Sequence, residues 1–100
     1  MNRTKWLTCR VSPGQFSDEL GVRGHDHQNK EFSLFTSRRF VRCEKLPAAG
    51  EEVPGSLQAV VLDQQGTLCL IRLPGQTFDN GSTITVRSDQ LEDSQAHQFA

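Results

Sequence analysis

One hundred residues, of which 35% are hydrophobic and 23% charged, supply material for one modest core and exclude both a second independent core and an extended disordered chain. A net charge of −1 excludes indiscriminate attraction to polyanions. No stretch approaches the roughly eighteen apolar residues that a membrane-spanning helix needs, and the opening Met1-Asn2-Arg3-Thr4-Lys5-Trp6 has no apolar signal core, so the expected location is cytoplasmic.

Alternation with period two dominates the chain. Residues 5–11 put Leu7, Cys9 and Val11 on one face and Trp6, Thr8 and Arg10 on the other, as in a half-buried strand, and Ser12-Pro13-Gly14 ends it. Residues 16–24 suggest a weaker strand with Leu20 and Val22 inward. The wholly polar residues 24–30 form a hairpin loop before a strand over 31–36 with Phe32 and Leu34 inward. Residues 37–44 continue extended, with a bulge at Phe40-Val41. A proline- and glycine-punctuated loop covers 46–55. Residues 56–62 and 67–73 then form a β-hairpin across Asp63-Gln64-Gln65-Gly66, closed by Pro74-Gly75. Asp79-Asn80-Gly81-Ser82 turns into a last strand over 83–87 with Ile84 and Val86 inward. Ser88-Asp89-Gln90-Leu91 makes a short helical turn that tucks Leu91 inward. No apolar stripe at helical spacing persists, and no internal repeat is evident.

These elements predict an all-β fold, a small five- to six-stranded partly open barrel over residues 1–92 with a flexible polar tail at 93–100. The order strand, long loop, hairpin, loop, strand and closing turn over residues 40–92 resembles the SH3-like small-barrel superfold. Residues 1–36 would add an N-terminal strand pair. The resemblance implies a platform that recognises a peptide, a nucleic acid or another subunit, and it does not choose among them.

Cys9, Cys43 and Cys69 are odd in number, widely spaced and set in apolar or alternating segments, which predicts three reduced thiols. Residues 1–45 hold nine Lys/Arg against five Asp/Glu, whereas 46–100 hold two against seven, so the halves differ in sign. His25-Asp26-His27 is the one metal candidate, but no third or fourth ligand stands at a diagnostic spacing, and a solvated turn accounts for it better. Arg42 and Lys45 flank Cys43 in sequence, yet strand geometry points Arg42 away from the thiol. The adjacent carboxylates diverge in extended backbone and no phosphate-cradling glycine motif is present. Neither a catalytic residue nor a cofactor is expected.

Binding residues are easier to nominate. Arg38, Arg39 and Arg42 concentrate positive charge near aromatic rings, and in a strand Arg38 and Arg42 would share a face with Phe40 between them. Phe78 lies in a polar stretch without alternating apolar company, and Trp6, opposite Leu7 and Cys9, would mark an interface if exposed. The expected function is a non-catalytic β-barrel module for a protein partner or self-association. The alternatives are a nucleic-acid-binding barrel using the three arginines, and a small metal-binding or enzymatic domain at His25 and His27.

Overall fold

A computed structural model describes residues 3–78 and 81–93. The chain is all-β, 67% strand, with eight strands in one sheet that curls into a half-barrel. Strand β1 (Thr4–Pro13) buries Leu7, Cys9 and Val11 on one face as its alternation requires. It pairs with β2 (Glu19–His25), which pairs in turn with β3 (Glu31–Ser37). Between β2 and β3 the Asp26 carboxylate accepts the backbone N–H groups of Gln28 at 2.8 Å and Lys30 at 2.9 Å, which sets the polar turn.

The backbone after β3 is not extended. Ser37 Oγ accepts the Arg39 N–H at 3.3 Å and starts a 3-10 turn, Arg38–Phe40, that delivers the chain into the short strand β4 (Val41–Cys43). Arg38 and Arg42 therefore do not share one strand face around Phe40. β5 (Val53–Gln65) and β6 (Leu68–Thr77) form the expected hairpin, but its turn is the tighter Gly66-Thr67, which Gly66 makes at φ 61°. Bulges let both strands run further than expected: one between Val61 and Asp63, and one that absorbs Pro74-Gly75 between Arg72 and Thr77. β7 (Gly81–Arg87), a 3-10 turn at Ser88–Gln90 and β8 (Leu91–Asp93) complete the order. Residues Asp79 and Asn80 of the expected turn, and the expected tail from Ser94 onward, lie outside the described residues.

The backbone carries an internal repeat that residue identity hides. Three strands, a 3-10 turn and a three-residue strand occur twice, and the later elements recur fifty positions apart, from Glu31 to Gly81, Arg38 to Ser88 and Val41 to Leu91. Strand β4 of the first half pairs with β5 of the second, and β8 of the second pairs with β1 of the first. Leu7 and Leu57 face each other where β1 meets β5, and Val41 and Leu91 sit beside them on their outer flanks. A local two-fold thus passes between Leu7 and Leu57. Each half also caps an edge of the other: His27 N–H donates to Thr85 O at 2.9 Å, and Phe78 N–H to Ser33 O at 3.2 Å.

The core lies inside the curl and draws on both halves, with Leu7, Val11, Leu34, Leu57, Ile71 and Val86 fully buried. Val41, Cys43 and Leu91 pack against its margin, so both 3-10 turns end on an apolar anchor. Among the described residues, no helix is long and apolar enough to cross a membrane.

Candidate binding groove

The central strands run in the order β4, β5, β1 and β8, and their even-numbered residues project away from the core. Arg42 stands opposite Ser56, Ser56 opposite Thr8, and Trp6 opposite both Gln58 and Glu92. The Arg42 guanidinium reaches across to lie 3.9 Å from the centre of the Trp6 ring. Trp6 is thereby 5% exposed even though it points away from the core, and its indole N–H is buried with no hydrogen-bond partner. Leaving such a donor unsatisfied costs about 1–3 kcal/mol.

The 3-10 turn at Arg38–Phe40 swings Arg38 and Arg39 onto the same side as Arg42. The three guanidinium groups line one open groove of about 820 Å³, together with Leu20, Leu46 and Pro54 and the hydroxyls of Thr8 and Ser56. Glu44 and Glu92 also edge it. Arg39 lies over the half-buried Phe40 ring at 5.5 Å. Among the described residues neither Arg38 nor Arg39 forms an ion pair, whereas Arg10 and Arg23 are both engaged by Glu52. The groove continues past Arg38 and Leu46 to a shallower depression that includes Pro13 and Phe16. Phe16 is 69% exposed and Leu46 52%, which makes this end of the groove apolar.

The structure therefore gathers Arg38, Arg39 and Arg42 and puts the buried Trp6 beneath one of them. Phe78 stands apart at 68% exposure, edge-on to Phe35 with centroids 5.9 Å apart. Leu46, Glu92 and Phe16 belong to the groove and were not nominated from sequence. For Phe16 a signal existed, since Gly14-Gln15-Phe16-Ser17-Asp18 isolates it in polar company as the residues around Phe78 do.

Asp26 serves its turn, and His27 Nδ1 lies 3.2 Å from the Thr85 carbonyl oxygen. Among the described residues no group of three or more His, Cys, Asp or Glu is arranged to hold a metal ion. The three cysteines are free thiols. Burial pushes the Cys9 thiol from 9.0 up to about 12, with nearby Cys43 adding to the effect. Cys43 itself is raised by burial, against the opposing pull of Arg38. Both sulfurs are thus held protonated, the unreactive form.

In comparisons with protein-family models, with curated proteins and with solved structures, the chain matches none.

Proposed function

We propose that the protein is a non-catalytic binding module of the cytoplasm whose groove takes a segment of a protein partner bearing carboxylates beside aliphatic side chains. The observation that carries this reading is the sharing of one open groove by Arg38, Arg39 and Arg42 with Leu20, Leu46 and Pro54. Guanidinium forks hold carboxylates through paired, charge-assisted hydrogen bonds, and the adjacent apolar floor excludes water from them. A nucleic acid suits the groove less. Glu44 and Glu92 at its edges repel phosphates, and the rings of Trp6 and Phe40 that would stack bases are already covered by Arg42 and Arg39. The all-β half-barrel is compatible with a small barrel, and the resemblance of residues 40–92 to the SH3-like superfold favours a recognition platform. Three free thiols suit a reducing compartment, and the raised pKa of two of them supports a non-catalytic role.

The reading is tested by selecting displayed peptides on the immobilised protein and discarding those that also bind an Arg38→Ala, Arg39→Ala variant. Enrichment of sequences that combine Asp or Glu with Leu, Ile or Val is expected, with binding that weakens as salt rises. A single-stranded oligonucleotide that binds at about 50 mM salt and is lost in the same variant would replace this reading with the nucleic-acid one.

A further inference from the structure

We infer that the partner segment binds as an added β-strand, extended along the free edge of β4 with its acidic side chains on the outer side against Arg38 and Arg39 and its alternate, aliphatic side chains against Leu20 and Leu46. The inference rests on the groove being the binding surface and adds the conformation and residue spacing of what fills it.

The backbone of β4 defines that edge. In an antiparallel pair, successive residues turn their N–H and C=O groups alternately toward the partner strand and away from it. The Val41 N–H donates to Arg38 O, closing the 3-10 turn, so Val41 turns its backbone groups away from β5. Arg42, the next residue, turns its own toward β5 and stands opposite Ser56. Two distances at Gly55 agree with this alternation. A Cβ there would lie 2.6 Å from the Arg42 carbonyl oxygen, which is therefore aimed at β5, and 3.3 Å from Cys43 Cβ, the close approach of a facing pair that exchanges no hydrogen bonds. Cys43 thus presents its N–H and C=O on the side away from β5, and Val41 its C=O. Among the described residues β4 pairs with no second strand, and no backbone hydrogen bond of a turn or loop takes up these groups.

The groove runs along this edge. It touches four residues in succession, Val41 to Glu44, although Arg42 projects outward while Val41 and Cys43 pack against the core. Only a surface that passes over the edge of the strand meets both sets of side chains. Arg38 and Arg39 stand on it without an ion pair among the described residues, and Leu20 and Leu46 line it together and continue into the depression at Pro13 and Phe16. A strand laid there has a side-chain period of two. Side chains in line with Arg42 meet the guanidinium groups, and those in line with Val41 and Cys43 meet the aliphatic bank. Carboxylates at alternate positions suit the first, and Leu, Ile or Val between them suit the second. Main-chain hydrogen bonds to Cys43 add affinity that depends on neither.

The test uses two capped heptapeptides of one composition: Leu-Glu-Val-Glu-Leu-Glu-Val, which alternates, and Leu-Val-Leu-Val-Glu-Glu-Glu, which does not. Titrated into the whole chain at about 50 mM salt, the alternating peptide is expected to bind about tenfold more tightly or better. Two further versions of it carry backbone N-methyl groups on every Glu or on every aliphatic residue. Only one of these sets turns its N–H groups toward β4, so one version is expected to lose about tenfold or more and the other to bind nearly as the parent does. For an antiparallel strand the loss falls on the aliphatic set, because Cys43 then faces a residue whose side chain points the same way; loss on the Glu set shows a parallel one. On the protein, the Cys43 amide should exchange with solvent faster than that of Arg42 in the free chain, and become protected when the alternating peptide is added. Equal losses in the two N-methylated versions, no loss in either, or a Cys43 amide as protected as that of Arg42 before any peptide is added would overturn the inference. Two heptapeptides that bind equally, and are both lost in a folded Arg38→Ala, Arg39→Ala variant, leave the groove's role standing and remove only the strand. Two that bind that variant as well as the native chain remove both.

Discussion

The guanidinium of Arg42 and the indole of Trp6, on strands separated by β5, form one stacked unit 3.9 Å apart, and the groove is built on it. Arg42→Ala removes both a cation–π contact and the cover over the ring. The expected cost is about 1–2 kcal/mol in urea unfolding. Because the chain has a single tryptophan, its emission reports on this site alone. A red shift is expected for Arg42→Ala and a smaller one for Arg42→Lys, which keeps the charge and loses the planar stack. An unshifted Arg42→Ala would mean that something other than Arg42 shields the indole.

Leu7 and Leu57, both fully buried, face each other across the local two-fold. They occupy equivalent places, Leu7 between Leu57 and Leu91 and Leu57 between Leu7 and Val41, so Leu7→Ala and Leu57→Ala are expected to destabilise by similar amounts, each about 2–5 kcal/mol. The double variant should depart from the sum, because the residues share one cavity. Chemical denaturation measures all three. A difference of more than about 2 kcal/mol between the single variants would show that the halves are not energetically equivalent.

Gly55 holds the groove together by having no side chain. It lies between Cys9 of β1 and Cys43 of β4, and a methyl group there would stand 2.6 Å from the Arg42 carbonyl oxygen and 2.7 Å from Val11 Cγ2. The carbonyl is backbone and retreats only if β4 separates from β5. Gly55→Ala is therefore expected to cost about 1–3 kcal/mol or more, and to free the amides of β4 to hydrogen exchange before those of β6. Equal protection in both strands would show that the backbone absorbs the methyl group without parting.

The strand content was legible because burial on one face imposes alternation, and Leu7, Cys9, Val11, Phe32, Leu34, Ile84 and Val86 are buried as that pattern requires. The closing turn before Leu91 was legible for the same reason, an apolar residue following a polar turn. What the pattern does not carry is a three-residue turn. Ser37-Arg38-Arg39-Phe40 reads as strand because one 3-10 turn is too short to show a period, and only the Ser37 cap distinguishes it. The repeat is hidden in the sequence because the two copies keep apolar positions and little identity; Arg42 and Glu92 even oppose each other in charge. The arginines were found by their cluster in sequence, whereas Glu92 joins them only through the pairing of β8 with β1.

The last expectation concerns alkaline pH and follows from Cys9. Burial raises its thiol from 9.0 to about 12 in the folded chain, so between those values the folded state keeps a proton that the unfolded state has released. Fewer protons on the unfolded state means that stability falls as pH rises, by about 1.4 kcal/mol per pH unit for one such group. The contribution is complete below pH 9.0 and is lost progressively toward about 12. Cys43, also raised by burial, adds to the slope, and the absence of tyrosine removes phenol titration from the same range. Urea unfolding of the native chain and of Cys9→Ala, followed from pH 8 to pH 11, isolates the thiol, because every other titrating group is common to the two proteins. The native chain should lose stability more steeply than Cys9→Ala, and in the folded state Cys43, only partly buried, should react with a thiol reagent before Cys9. Parallel pH profiles for the two proteins would show that Cys9 ionises in the folded chain as readily as in the unfolded one, and that the core around β1 admits water.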